Sequence, residues 1–507
     1  MKRTTGVLLS YVLIFFEALS TLLLTPYIIR TLGQAEYGVY KLTIAINTYL
    51  LLLDLGIGNA VTRYIAKFKT NKNKIQEKRF LGIVTLYYII IAVIALLSGI
   101  ILVVIFPRAF SKGLSTNEVV LGQKLLSITM INSAITLGTA AYNNVIIAYE
   151  KFFVSKGSAI IQIILRMIVT YFALKAGMGS IGIVSVNLIM TVLCRIYYVL
   201  YVLCVIKLVP TLKGIELSFV KEIIIYSSLI LLQMIATQIN ATVDQILIGA
   251  LVTGSSVILA VYGVGTQIVQ YFQTFGSAFT GVLMPGIVKM VENKASAKQL
   301  TDEMIRIGRI ILIVLALIWS VFLVNGKEFI KLWAGQENIN GYYVAIILMT
   351  VNIFVLTEAV GTQVLWAMNA HKEQSYLKIT IVLCNILLTI VLIKWNPLIG
   401  ATIGTFISVL LGDVVVLNLI FIKKIGMNLI YYYKMLFKGI IPCAGIIIII
   451  GFIINQFLAS GLLCFLLKSF IMVILYCGFL LLFGLNQYEK QLFGSLITKV
   501  RRGSTNE

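Results

Sequence analysis

Apolar runs of about twenty residues, broken by short polar stretches, recur along the whole chain. The pattern is plainest at the start. A run over 8–29 enters a polar turn, 30–37, and then a second run over 40–66 that closes on Arg63, Lys67 and Lys69. Two greasy spans with a tight turn on one side and a basic collar on the other make a membrane hairpin. The same reading carried forward gives fourteen helices. After 8–29 and 40–66 come 80–106, 125–148, 158–176, 181–206, 223–252, 257–288, 307–324, 342–368, 377–394, 398–422, 437–458 and 462–483. Runs of this length predict helices, since a barrel strand crosses in about 9–11 residues of alternating polarity. The first run is too long for a cleaved signal and flows straight into the next.

Polar breaks set the organisation. Lysine and arginine crowd alternate loops, as in Lys67, Lys69, Lys72, Lys74, Lys78 and Arg79, while the opposite loops hold few. That asymmetry predicts both termini in the cytoplasm. The lobes expected are 1–206 and 223–422, joined by a cytoplasmic linker at 207–222, with two further helices over 423–485 and a cytoplasmic tail at 486–507. An internal echo supports two lobes of equal topology. Tyr37-Gly38-Val39 recurs as Tyr262-Gly263-Val264, and Ala148-Tyr149-Glu150-Lys151 resembles Ala370-His371-Lys372-Glu373. No outer loop exceeds roughly 15 residues, so none forms a catalytic module.

Composition then narrows the class. The chain has 507 residues, 60% hydrophobic and 12% charged, with a mean hydropathy of +1.01. A soluble domain carries about 25% charged residues. The net charge of +22 sits in the alternate loops, where it meets anionic lipid; it does not predict nucleic acid. All six cysteines fall in apolar runs without disulfide or metal spacing. No Walker-type phosphate loop appears, so no ATP site or other cofactor is expected.

Charges within the spans are the candidate chemistry, because each costs about 2.5–3.5 kcal/mol at mid-bilayer unless paired or functional. They are Glu17, Asp54, Arg166, Arg195, Asp244, Glu358, Asp413 and Lys468. Gln233, Gln238, Asn240, Asp244 and Gln245 form a polar strip on the seventh helix, continued by Gln267, Gln270 and Gln273 on the eighth. Structural readings compete throughout. Arg166 and Arg195 are struts to Glu17 or Asp413, or they are substrate contacts. Asp54 partners Arg63 or faces a cavity, and Lys468 snorkels to the outer face. His371 receives no role. Gly56, Gly58, Gly276, Gly281, Pro285 and Gly286 mark bends or close packing.

LGQAEYGVY (32–40) followed by LDLGIGNAVTRYIAKF (53–68) resembles the signature of Wzx-type flippases of lipid-linked O-antigen and polysaccharide repeat units. These belong to the multidrug/oligosaccharidyl-lipid/polysaccharide exporter superfamily. The resemblance implies an all-α polytopic membrane protein, two pseudo-symmetric six-helix lobes around a hydrated cavity, and two helices outside. It implies a polyprenyl-diphosphate-linked oligosaccharide moved from the cytoplasmic to the outer leaflet. The expected cavity residues are Glu17, Asp54, Arg63, Arg166, Arg195, Gln238, Asn240, Asp244 and Gln267. Coupling to H+ or Na+ antiport is expected through Asp244, Glu358 or Asp413, with polysaccharide assembly proteins as possible partners. The alternatives are a multidrug or peptidoglycan-precursor exporter of the same superfamily, or a polytopic lipid-sugar polymerase. The short outer loops argue against the last.

Overall fold

The computed structural model describes residues 2–54, 56–212, 217–277, 286–287, 289–368 and 370–491. Gly281, Pro285, the side chains of Gln233 and His371, part of the 207–222 linker and most of the 486–507 tail lie outside the described residues. Every regular element among the described residues is helical. Eleven stretches of them are long and apolar enough to cross a membrane, so this is a multi-pass membrane protein. The expected span 257–288 runs partly outside the description, and the number fourteen is not fixed by these residues. The chain divides into two compact units, 1–263 and 264–507.

The first unit contains α1 (Lys2–Leu51), α2 (Ile57–Thr70), α3 (Lys74–Phe110), α4 (Thr116–Gly138) and α5 (Ala140–Ala148). It continues with α6 (Ser158–Lys175), α7 (Gly179–Leu200), α8 (Leu217–Leu251) and the first turns of α9 (Ser255–Ser277). At about 1.5 Å per residue α1 would run some 75 Å, more than twice a hydrocarbon core. Gly33 breaks it, with φ 74° and ψ 171°. The expected eight-residue polar turn at 30–37 is therefore corrected. Its residues stay helical and the break is a single glycine, because only that torsion departs from the helix.

The signature around this break has packing reasons. Glu36 accepts the backbone N–H of Ser180 at 2.6 Å, placing a carboxylate at the N-terminus of α7. A Cβ on Gly38 would stand 1.8 Å from the Ser256 carbonyl oxygen, so α1 and α9 approach as only glycine allows. Near the basic end, Ile57, Val61 and Ile65 of α2 pack with Leu81, Val84 and Tyr88 of α3 and with Val145 and Ile146 of α5.

The second unit contains the rest of α9, then α10 (Ala297–Ala334), α11 (Gly341–Thr357), α12 (Ala359–Ala367), α13 (His371–Leu392) and α14 (Pro397–Val409). A π-helical stretch, Leu410–Val416, leads to α15 (Leu417–Ile425), α16 (Leu429–Phe437), α17 (Ile440–Phe457) and α18 (Leu462–Phe479). α10 is the central post, packed on α11, α16, α17 and α18. Two buried ion pairs fasten it: Arg309 to Glu489 at 2.6 Å and Glu328 to Lys468 at 3.0 Å. The second corrects the snorkelling expected of Lys468. Its ammonium is buried against a carboxylate on a neighbouring helix, which removes the drive to reach the outer face.

The two units repeat their turns bond for bond. After α2, the N–H groups of Asn71, Lys72 and Asn73 reach the carbonyls of Lys67, Lys69 and Phe68. Before α10, Asn293, Lys294 and Ala295 reach Lys289, Val291 and Met290 in the same order. Lys72 and Lys294 share a left-handed φ of 54°. Likewise α4 gives way to the nine-residue α5 at Thr139, and α11 gives way to the nine-residue α12 at Glu358. Thr139 N–H bonds Ile135 and Glu358 N–H bonds Phe354, so the interruptions match too.

Candidate functional site

Within the first unit, one face of α8 supplies Gln238, Thr242 and Gln245 at i, i+4 and i+7. Across from it, the last turns of α1 supply Thr48 and Tyr49. Gln238 Nε2 donates to Thr48 Oγ1 at 3.0 Å, and Thr242 Oγ1 donates to Tyr49 Oη at 2.9 Å. Tyr262, at the start of α9, donates to Asp244 Oδ2 at 2.5 Å. Asp244 is only 2% exposed, and Thr242 and Gln245 are buried beside it. Unpaired, each such group would cost about 1–3 kcal/mol to bury. The predicted polar strip on α8 is thus turned inward, with Asn240 half-buried on the same helix. Sequence reading missed Thr48, Tyr49 and Tyr262; the last stood out only as half of an echo.

The other expected cavity residues are placed differently. Asp54 accepts from the Tyr88 hydroxyl at 2.8 Å beside the break at Gly56, and among the described residues it forms no ion pair with Arg63. Arg63 is exposed on α2, and Glu17 is exposed on α1. The strut expected between Glu17 and an arginine is absent among the described residues. Arg166 is half-buried and donates to Asn187 Oδ1 at 3.4 Å, while Arg195 is half-buried with its guanidinium 5.9 Å from the Tyr198 ring centre. Both partners are neutral. Gln267 falls in the second unit, where it donates to Tyr271 Oη at 3.3 Å. Gln273 donates to Asn352 Oδ1 at 2.7 Å on α11.

The second unit holds the two remaining acids. Lys378 of α13 places its ammonium 2.7 Å from both oxygens of Asp413. Lys378 thus sets a cation against one of the three acids that sequence reading assigned to ion coupling. Glu358 is different. It is 1% exposed at the α11–α12 break, and among the described residues only neutral side-chain donors reach it: Tyr433 Oη, and Asn418 Nδ2 at 3.0 Å. Burial, and after it the Glu358 carboxylate, push the Tyr433 hydroxyl up from its ordinary value, so it stays a donor. Among the described residues, Glu358 Oε2 and Asn418 Oδ1, both buried in this cluster, have no hydrogen-bond partner.

A family model described as polysaccharide biosynthesis protein matches residues 4–291. No curated protein sequence matches the chain. Among solved structures, the lipid II flippase MurJ in an inward closed conformation superposes with a TM-score of 0.72 at 16% identity, covering 93% of this chain and 98% of its own. An inward-facing multidrug resistance transporter of the MATE family in the MOP superfamily gives 0.58 at 13% identity, covering 80% and 95%. The MATE multidrug transporter DinF-BH gives 0.60 at 16% identity, covering 83% and 95%. At these identities the likeness is one of fold.

Proposed function

Because the chain belongs to the polysaccharide biosynthesis protein family and carries the fold of the multidrug/oligosaccharidyl-lipid/polysaccharide exporters, we propose that it is a Wzx-type flippase. Its cargo is a polyprenyl-diphosphate-linked oligosaccharide repeat unit, delivered from the cytoplasmic to the outer leaflet of a bacterial plasma membrane. In this reading both termini are cytoplasmic, 207–222 is a linker in the chain, and the protein makes and breaks no covalent bond in its cargo.

The observation that carries the reading is the pair of arginines. Arg166 and Arg195 sit half-buried in apolar helices, and neither pairs with a carboxylate among the described residues. Their charges are thus available to an anion. A diphosphate is the part of the cargo that needs them, and guanidinium suits its oxygens bidentately. The hydroxyls and amides now bonded to one another between α8 and α1 are the kind of neutral donors and acceptors that a sugar would take up if these helices part. The lipid II flippase with the same fold supports a lipid-linked cargo.

The same reading assigns the energy source to an ion gradient, H+ or Na+, acting on Glu358. Support comes from a buried acid with no cation beside it among the described residues and an oxygen that lacks a donor. Asp244, closed over by Tyr262, is the second candidate.

The test is depletion of the protein in its host, followed by labelling of the lipid-linked sugar with a reagent confined to the outer leaflet. Accumulation on the cytoplasmic side is expected, with rescue by the intact chain and poor rescue by the Arg166→Gln, Arg195→Gln double variant. Undiminished outer labelling, with every related transporter deleted, would overturn the proposal.

A further inference from the structure

The loop expected before the thirteenth span is a helix. α16 has nine residues, too few to cross a bilayer, and it lies between α15 and α17 on the lysine-rich side. Asn428 starts it by accepting the Tyr431 N–H at 3.0 Å, and Gly439, at φ 78°, separates it from α17. Tyr432 and Leu436 are fully buried on one face, while Ile430 stands 81% exposed on the other. Leu429, Ile430, Tyr433, Phe437 and Pro442 wall an open groove of about 760 Å³ that is almost wholly apolar, with Lys434 and Lys438 at its rim.

We propose that this groove binds an anionic phospholipid of the leaflet on the lysine-rich side, its acyl chain along α16 and its phosphate against Lys434 and Lys438. Charge complementarity selects the occupant. Lys423, Lys434 and Lys438 form no ion pair among the described residues, whereas the nearby Lys424 is held by Glu373 at 2.6 Å. A short amphipathic helix with unspent lysines beside an apolar trough matches a lipid that is greasy at one end and negative at the other.

The groove also leads inward. The Tyr433 ring stacks on Phe437 within it, centres 5.6 Å apart, while the Tyr433 hydroxyl donates to Glu358. Asn418 ties both, donating to Tyr433 Oη at 2.9 Å and to Glu358 at 3.0 Å. A chain lying against that ring is one side chain away from the buried acid, so the bound lipid regulates how Glu358 is held. This inference is independent of the cargo.

The experiment uses the full chain in nanodiscs and a phosphatidylglycerol with a photoreactive acyl chain. Crosslinks on α16 are expected. Unlabelled phosphatidylglycerol should compete for them, and phosphatidylcholine or inorganic phosphate should not. Lys434→Gln with Lys438→Gln should lower the labelling at least fivefold at unchanged thermal stability. If that pair unfolds, Ile430→Trp, which fills the groove from an exposed position, should lower it equally. Labelling that ignores the headgroup, or that a polyprenyl diphosphate displaces in preference to phosphatidylglycerol, overturns the site. Infrared difference spectra should show a carboxyl band that shifts on adding phosphatidylglycerol and disappears in Glu358→Gln. Its failure to shift, or a shift that survives Tyr433→Phe, overturns the link. Neither readout involves transport, so the proposed function can fail while this stands, and the reverse.

Discussion

Arg309 and Glu489, 180 residues apart, form a buried ion pair with Nε 2.6 Å from Oε1 and Nη2 3.0 Å from Oε2. The donors left over reach the carbonyls of Met435, Leu436, Lys438 and Gly484. One guanidinium thus fastens α16, the residue that ends it and the segment after α18 to α10. Arg309→Met strands Glu489 in an apolar setting and should cost about 3–5 kcal/mol, read as a lower unfolding temperature in detergent. Arg309→Met with Glu489→Leu should recover much of that loss. A single variant as stable as the parent would show the pair to be dispensable.

Gly38 faces the Ser256 carbonyl so closely that an added methyl has no room. Gly38→Ala should cost about 1–3 kcal/mol or more, seen as lost monodisperse protein and a lower unfolding temperature. Gly445→Ala, where nothing lies within 4 Å of the added atom, should be neutral or slightly stabilising.

If Glu358 couples movement to an ion gradient, Glu358→Gln should still bind cargo, yet its transport in vesicles should ignore an imposed gradient. Thr139→Val, at the matching break in the other unit, should leave the gradient response intact. A full response in Glu358→Gln would shift the role to Asp244.

Arg166→Gln should weaken binding of a short-chain polyprenyl diphosphate by roughly 10- to 100-fold, the range for losing a charged hydrogen bond. Its unfolding temperature should barely move, because no carboxylate is left stranded. Calorimetric titration of the purified protein measures both. A large stability loss with unchanged binding would make Arg166 a strut after all.

What the chain spells out on its own surface follows from solvent. Hydrocarbon demands long apolar helices and water takes the charges, so spans and basic loops read directly. Breaks inside spans do not. Glu358 interrupts its helix with no adjacent glycine or proline, and Gly138 beside Thr139 is one of many glycines in the spans, so neither position announces a break. α16 was hidden for a related reason. Its apolar residues merge with the following span, and only Gly439 separates them. Partners are the least legible part. Lys378 reads as another loop lysine, yet it neutralises Asp413, and Tyr433 gives no sign that it holds Glu358. Such pairings depend on which helix faces turn together, which spacing along one chain does not encode.

The matched turns place an equivalent helix interruption in each unit. At that interruption the first unit carries an uncharged hydroxyl, Thr139, and the second an acid, Glu358. A small ion that binds that acid therefore acts on one sister only. Two units that differ at this point would answer a proton or a small cation unequally.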